Sequence, residues 1–204
     1  MMTFFLHKNQ IMKSILTLSF LVMLVSCKKE TVIEPVPSLP AMNYVDYHDQ
    51  QIKFNQGFAM DINGDGIRDI YFYTQLVGDP ILKRDYRQYL LTSSIATSMP
   101  FNDKEQIPVL EKESSISLTA HPRYEWYNAS EVMLAQKVIE ESAQDWWDGE
   151  WKNASHRYVA VQVNKNNLLY YGWIEISFDT KSEVIILHKS AISKEAGKAI
   201  KAGL

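Results

Sequence analysis

Tyr158-Val159-Ala160-Val161-Gln162-Val163, then Asn164-Lys165-Asn166-Asn167, then Tyr170-Tyr171-Gly172-Trp173-Ile174-Glu175-Ile176-Ser177-Phe178, is the stretch that decides the fold. Its tyrosine, valine and isoleucine content suits a pleated, half-buried surface. The polar insert Asn164–Asn167 supplies residues that tolerate a tight reversal of the chain. A second polar insert, Asp179-Thr180-Lys181-Ser182, leads into Val184–Ile192. Three apolar runs joined by two short polar turns predict a meander of antiparallel strands.

Outward from this stretch the period of two persists. Ile52, Phe54, Phe58 and Met60 alternate with Lys53, Asn55 and Ala59, and Ile70, Phe72, Thr74 and Leu76 alternate with Tyr71, Tyr73 and Gln75. Successive strand side chains point to opposite faces, so each set marks one face for burial. Tyr86–Thr92 and Ser114–Thr119 behave in the same way. One segment departs. In Ser130–Glu141, Val132, Ala135 and Ile139 recur at helical spacing behind a candidate cap at Asn128 or Ser130, which predicts a short helix. Lys194–Lys201, with basic residues at short intervals, reads as a solvated tail. There is no internal repeat. The expected fold is mainly β: a single antiparallel β-sandwich over residues 44–204 with one short helix.

The N-terminal segment carries an address. Lys13 precedes Ile15-Leu16-Thr17-Leu18-Ser19-Phe20-Leu21-Val22-Met23-Leu24-Val25, a run without charge. A spanning helix needs roughly 20 apolar residues, so this run is too short to remain as an anchor. A positive flank, a short apolar stretch and a small residue before a cut describe a secretory signal over residues 1–26. Met12-Lys13-Ser14 reads as its start. Leu24-Val25-Ser26-Cys27 resembles the bacterial lipobox, which implies that the Cys27 thiol receives diacylglycerol and becomes the first mature residue. Cys27 is the chain's only cysteine, so no internal disulfide supports the fold. Residues 27–43 read as a lipidated tether, because Pro35, Pro37 and Pro40 withhold backbone donors and favour an extended chain. The Cys27-Lys28-Lys29 start is similar to lipoproteins of the Bacteroidota. That likeness implies a cell-envelope protein, held in a membrane by lipid on Cys27, with the outer membrane as the expected location.

Charge narrows the partners. The chain holds 21 basic and 24 acidic residues. Lys8 and Lys13 are the leader's basic residues, and it has no acid, so removing it leaves 19 basic and 24 acidic, a net charge of about −5. Nucleic acid, whose phosphates need a basic face, is not an expected partner. An apolar fraction of 46% is ample for one core.

Asp61-Ile62-Asn63-Gly64-Asp65-Gly66-Ile67-Arg68-Asp69 is the most informative short segment. Calcium takes six to eight oxygen ligands, which a loop supplies from alternate positions. Asp61, Asn63 and Asp65 offer side-chain oxygens, Ile67 a backbone carbonyl, and Asp69 a carboxylate or a water bridge. Gly66 stands where such a loop turns sharply. Three carboxylates this close repel one another without a cation. The segment resembles the calcium loops of EF-hands, dockerins, thrombospondin repeats and integrin propeller repeats. It departs from the EF-hand at the twelfth position, where Phe72 replaces a bidentate glutamate, and its flanks alternate as strands. The expectation is a structural Ca²⁺ that clamps a hairpin. Together with Arg157-Tyr158-Val159-Ala160-Val161, Tyr170-Tyr171-Gly172-Trp173-Ile174-Glu175 and Ala199-Ile200-Lys201-Ala202-Gly203, the loop is similar to secreted Bacteroidota proteins with an early aspartate-rich loop and a late Tyr-Tyr-Gly-Trp-Ile strand. That resemblance implies a calcium-containing β fold and brings no activity with it. Gly172 reads as room for a neighbouring aromatic.

Asp145-Trp146-Trp147-Asp148-Gly149-Glu150-Trp151 gathers three of the five tryptophans with three acids. Indole faces beside carboxylates suit sugar rings, so Trp146, Trp147 and Trp151 are candidate ligand-binding residues. The plainer reading tucks these aromatics onto the sandwich. Asp145, Asp148 and Glu150 are the carboxylates that a polysaccharide hydrolase would draw on. His48, His121, His156 and His188 are scattered, without HExxH or ligand spacing, so zinc is not expected. There is no GxSxG serine elbow and no glycine-rich phosphate loop. The functional expectation is an exported, calcium-stabilised surface lipoprotein that binds a glycan or an envelope protein. The alternatives are a polysaccharide-acting hydrolase and a structural partner in a surface assembly.

Overall fold

A computed structural model describes residues 38–119 and 121–204; the signal segment, Cys27 and most of the tether lie outside them. The strands are β1 (Met42–Lys53), β2 (Phe58–Met60), β3 (Ile70–Asp79), β4 (Arg84–Ser93), β5 (Thr97–Phe101), β6 (Ser115–Ile116) and β7 (Glu125–Asn128). They continue with β8 (Glu131–Glu140), β9 (Trp146–Asp148), β10 (Arg157–Lys165), β11 (Leu168–Asp179), β12 (Val184–Ser193) and β13 (Ile200–Lys201). Two antiparallel sheets pack face to face, one ordered β1-β12-β11-β10-β5-β7 and the other β2-β3-β4-β8-β9. The expected sandwich and the β10-β11-β12 meander are both present, and the first strand begins at Met42.

Period two explains the core. Ile174, Ile176 and Phe178 of β11 face inward with Val161, Ile185 and Leu187, against Ile70, Phe72, Leu91 and Leu134 of the second sheet. Each such side chain contributes roughly 1.5–3 kcal/mol when taken from water. The alternate residues Tyr171 and Trp173 face outward into a second cluster with Tyr158, Ala160 and Ala191. That cluster is covered by Ile116 and Ile200, which pair as β6 and β13. The closing segment is therefore not a free tail: Ile200 and Ala202 are buried while its lysines stay on the outside.

No helix occurs among the described residues, and Ser130–Glu141 is a correction: Glu131–Glu140 forms β8. The reason is a bulge. Leu90 pairs with Met133 and Tyr89 with Ala135, which leaves Leu134 as an extra residue in the strand. An inserted residue shifts the inward phase by one. Val132, Leu134, Ala135 and Val138 are all buried, and that broken alternation imitates helical spacing. The Leu134 carbonyl, displaced by the bulge, accepts from the Trp151 amide at 3.1 Å. Gly172 is also read differently. A Cβ there would meet the Ala191 carbonyl oxygen at 2.6 Å and Val161 Cγ2 at 3.1 Å, so the glycine admits a neighbouring backbone and not an aromatic ring.

The sheets are tied together away from the core by Glu183, in the turn between β11 and β12. Its carboxylate bonds Arg87 of β4 and lies 2.8 Å from Lys137 Nζ of β8. Its carbonyl accepts the Tyr89 hydroxyl at 2.8 Å.

Candidate functional site

The aspartate loop is the connection between β2 and β3, whose last ladder pair is Met60–Ile70. Its flanks are strands. Asp61 Oδ1 accepts the amides of Gly64 at 2.7 Å and Asp65 at 3.2 Å, while Asp61 Oδ2 accepts Gly66 at 2.7 Å. Asn63 Oδ1 accepts the Asp65 amide and Asp65 Oδ1 the Ile67 amide, each at 2.9 Å. These local side-chain to backbone bonds coil the loop around its own oxygens, which short polar side chains do well. Positive φ at Gly64 (74°) and Gly66 (83°) permits the coil, and glycine reaches that region without a Cβ clash.

Asp69 is placed apart from the other acids. It is 3% exposed. Its Oδ2 accepts the Ile62 amide at 2.9 Å and the Asn63 amide at 3.4 Å, and its Oδ1 accepts the Thr97 hydroxyl at 2.8 Å. Burial pushes its carboxyl above the usual range, against the pull of Thr97 and the two amides, and the Asp65 charge adds to the rise. Among the described residues, no three His, Cys, Asp or Glu side chains converge tightly enough to hold a metal ion by themselves. The donor chemistry of the loop suits a hard cation, since Asp61, Asn63 and Asp65 offer oxygens with acceptor capacity beyond their amide bonds, and Ile67 adds a carbonyl. In this conformation Asp69 fastens the loop base to β5.

The tryptophan segment does not form one surface. Trp151 is fully buried. Trp147 packs half-buried against Tyr89 and Phe178, with ring centroids 5.9 and 5.1 Å away. Trp146 is 39% exposed and lies under the Arg84 guanidinium, 5.1 Å from its ring centre. Asp145 pairs with Lys137 at 3.0 Å, Asp148 accepts Gln136 at 3.4 Å, and Glu150 accepts Gln106 at 3.2 Å. The three acids are thus held by three different partners.

A second constellation joins residues that the sequence leaves far apart. His188 of β12 sits where two ladders slip together. Asp46 pairs with Lys189 and Gln50 with Leu187, so Tyr47, His48 and Asp49 bulge opposite His188. On the other side Glu175 pairs with Lys189 and Ile176 with Leu187, which leaves His188 unpaired there too. His188 Nδ1 lies 2.6 Å from Asp49 Oδ1, and Nε2 lies 2.7 Å from Ser177 Oγ. Ser177 Oγ also accepts the His156 amide at 2.9 Å. The His156 ring stacks on His188 with centroids 4.1 Å apart and planes 21° apart, and its Nδ1 lies 2.8 Å from Glu175 Oε1. Asp49 and His156 hold positive φ, 56° and 50°, in the conformation that non-glycine residues seldom adopt. Sequence reasoning could not find this group, because its members lie on β1, β11, β12 and the segment before β10 and match no contiguous motif.

Compared with known protein families, with curated proteins and with solved structures, the chain matches none of them.

Proposed function

We propose that the chain is an exported lipoprotein of the bacterial cell envelope, held by lipid on Cys27, whose β-sandwich binds a structural Ca²⁺ and serves to bind an envelope ligand, a glycan or a protein. The observation that carries the calcium part is the inward coil of the β2–β3 loop. Asp61, Asn63 and Asp65 are already oriented by the loop's own amides. Asp61, Asn63, Asp65 and the Ile67 carbonyl would hold the ion, with Asp69 adding a carboxylate oxygen or a water bridge. A bound cation there would neutralise the carboxylates and stiffen the hairpin that Asp69 fastens to Thr97. The anchor rests on the residues before the domain: a charge-free run ending at the only cysteine.

Thermal unfolding tests the calcium site. Ligand at about a hundredfold over its dissociation constant stabilises by about 2.7 kcal/mol, which for a domain of this size is a rise in Tm of about 5–10 °C. Chelation reverses the rise, and Asp65→Ala removes the response. A melting curve indifferent to both calcium and chelator would remove the site. Metabolic labelling with a fatty acid tests the anchor: Cys27→Ser leaves the protein unlabelled, and label retained in that variant would refute lipidation at this residue. The alternative of a polysaccharide hydrolase at the tryptophan segment gains no support from geometry, because Trp151 is buried and Asp145, Asp148 and Glu150 are separately engaged.

A further inference from the structure

We propose that Ser177, His188 and Asp49 form a nucleophilic relay, with Ser177 Oγ as an acyl-accepting nucleophile, His188 as its general base and Asp49 as the positioning residue. With the His188 ring neutral, the hydrogen-bond network allows one self-consistent proton arrangement. An ionised Asp49 carboxylate only accepts, so His188 Nδ1 carries the hydrogen across the 2.6 Å contact. Neutral imidazole then has a lone pair on Nε2, so Ser177 donates its hydroxyl hydrogen across 2.7 Å. A lone pair of Ser177 Oγ takes the His156 N–H at 2.9 Å, which fixes the hydroxyl's direction. A nucleophile in hydrogen-bond reach of a base, itself oriented by a third group, is the arrangement by which such relays are recognised on unrelated folds.

Two further observations set it apart from an ordinary surface hydrogen bond. Both ladders around His188 are irregular at that residue, and bulges re-aim side chains near functional sites. Asp49 and His156 also hold positive φ, as do other turn residues of the domain, a conformation that aspartate and histidine adopt more readily than most side chains. The His156 ring covers His188, which is 9% exposed, whereas Ser177 keeps partial access to solvent.

The step balances as an ester hydrolysis. The Ser177 oxygen attacks the acyl carbon while its proton passes to His188 Nε2. The ester C–O bond breaks, and the leaving oxygen takes that proton as an alcohol. Water then attacks the acyl-serine, gives a proton to His188, and releases a carboxylic acid as Ser177 recovers its hydrogen. Ile176 and Ser177 lie in the sheet ladder, and the His156 amide is committed to Ser177 Oγ, so these three amides do not form an oxyanion hole. The relay therefore suits acyl groups with good leaving groups, such as aryl esters and thioesters, and not amides.

The test uses the full chain in detergent with an alkyl fluorophosphonate probe and p-nitrophenyl acetate. The expected result is covalent label on Ser177 by peptide mass spectrometry, and ester turnover that Ser177→Ala lowers to the uncatalysed rate. Asp49→Asn, at an exposed carboxylate, keeps the fold by circular dichroism yet lowers kcat on the order of a hundredfold or more with KM little changed. Probe that leaves Ser177 unlabelled, or turnover equal in wild type and Asp49→Asn, overturns the proposal and leaves the three side chains as a tie between β1, β11 and β12. The readout does not involve calcium, so its failure leaves the proposed ion site standing.

Discussion

The aspartate loop and the His188 cluster are both made of polar side chains set on a sandwich, yet they are built in opposite ways. In the loop, nine consecutive residues bond mainly to one another, and the longest reach is from Asp69 to Thr97. In the cluster nearly every bond crosses strands, from Asp49 to His188 to Ser177 to His156. Local bonds follow from composition and spacing. Bonds between strands exist only once register is set, and a slip of one residue would turn each partner to the other face. The lesson is that the recognisable motif and a polar group joined across strands need not coincide.

The sharpest way to break the comparison lies inside the loop. Asp69→Ala removes the acceptor of the Ile62 and Asn63 amides and of the Thr97 hydroxyl hydrogen, and is expected to cost about 3 kcal/mol in denaturant unfolding with or without calcium. Asp65→Ala, at an exposed side chain, is expected to cost little in chelator and to lose only the calcium increment. If both variants respond alike, the division of the loop into a scaffold acid and ion-facing acids fails.

Next in size is the cluster's own contribution. His188→Ala removes a buried ring that joins three strands and is expected to cost about 2 kcal/mol. Asp49→Asn, well exposed, is expected to cost under about 1 kcal/mol by the same measurement. A larger loss at Asp49 than at His188 would show that the β1 bulge, and not the imidazole, holds the strands together.

A control outside both regions is Tyr89, whose hydroxyl burial raises to a pKa of about 12. The folded state keeps this phenol protonated more firmly than the unfolded chain, whose value is about 10. Its contribution is therefore intact below about pH 10 and lost as pH rises toward 12, a decline of about 1–2 kcal/mol that Tyr89→Phe flattens in alkaline melts. A smaller effect than at Tyr89 is expected at Glu183. Burial raises its carboxyl, but the Lys137 and Arg87 contacts outweigh that and leave it lowered. Its stabilisation, about 0.5–1 kcal/mol, is present above the ordinary glutamate range and disappears as pH falls through the lowered value. Acid unfolding of Glu183→Gln beside the parent protein measures it.

Much of the sheet was legible because alternation is a one-dimensional signal. Ile70–Leu76, Tyr158–Val163 and Val184–Ile192 show it, and all are strands. The stretch around Leu134 misled because a bulge shifts the phase by one, and composition does not mark where a bulge falls. Lys194–Lys201 misled because lysine-rich spacing hid Ile200, whose pairing with Ile116 is non-local. The aspartate loop was visible for the reason that its bonds are short in sequence. The separation of Asp69 from its neighbours was not, since that depends on Thr97 arriving from β5.

The sequence by itself determined the charge-free run before Cys27, the alternating strands, and an oxygen-rich turn between two of them. Only the tertiary structure decided which turn residues face one another, that Trp151 lies in the core, and that Asp49, Ser177 and His188 meet. The physical reason is range. Backbone preference and side-chain alternation act within a few residues, whereas the meeting of three strands is fixed by register and by two bulges that only the assembled sheet imposes.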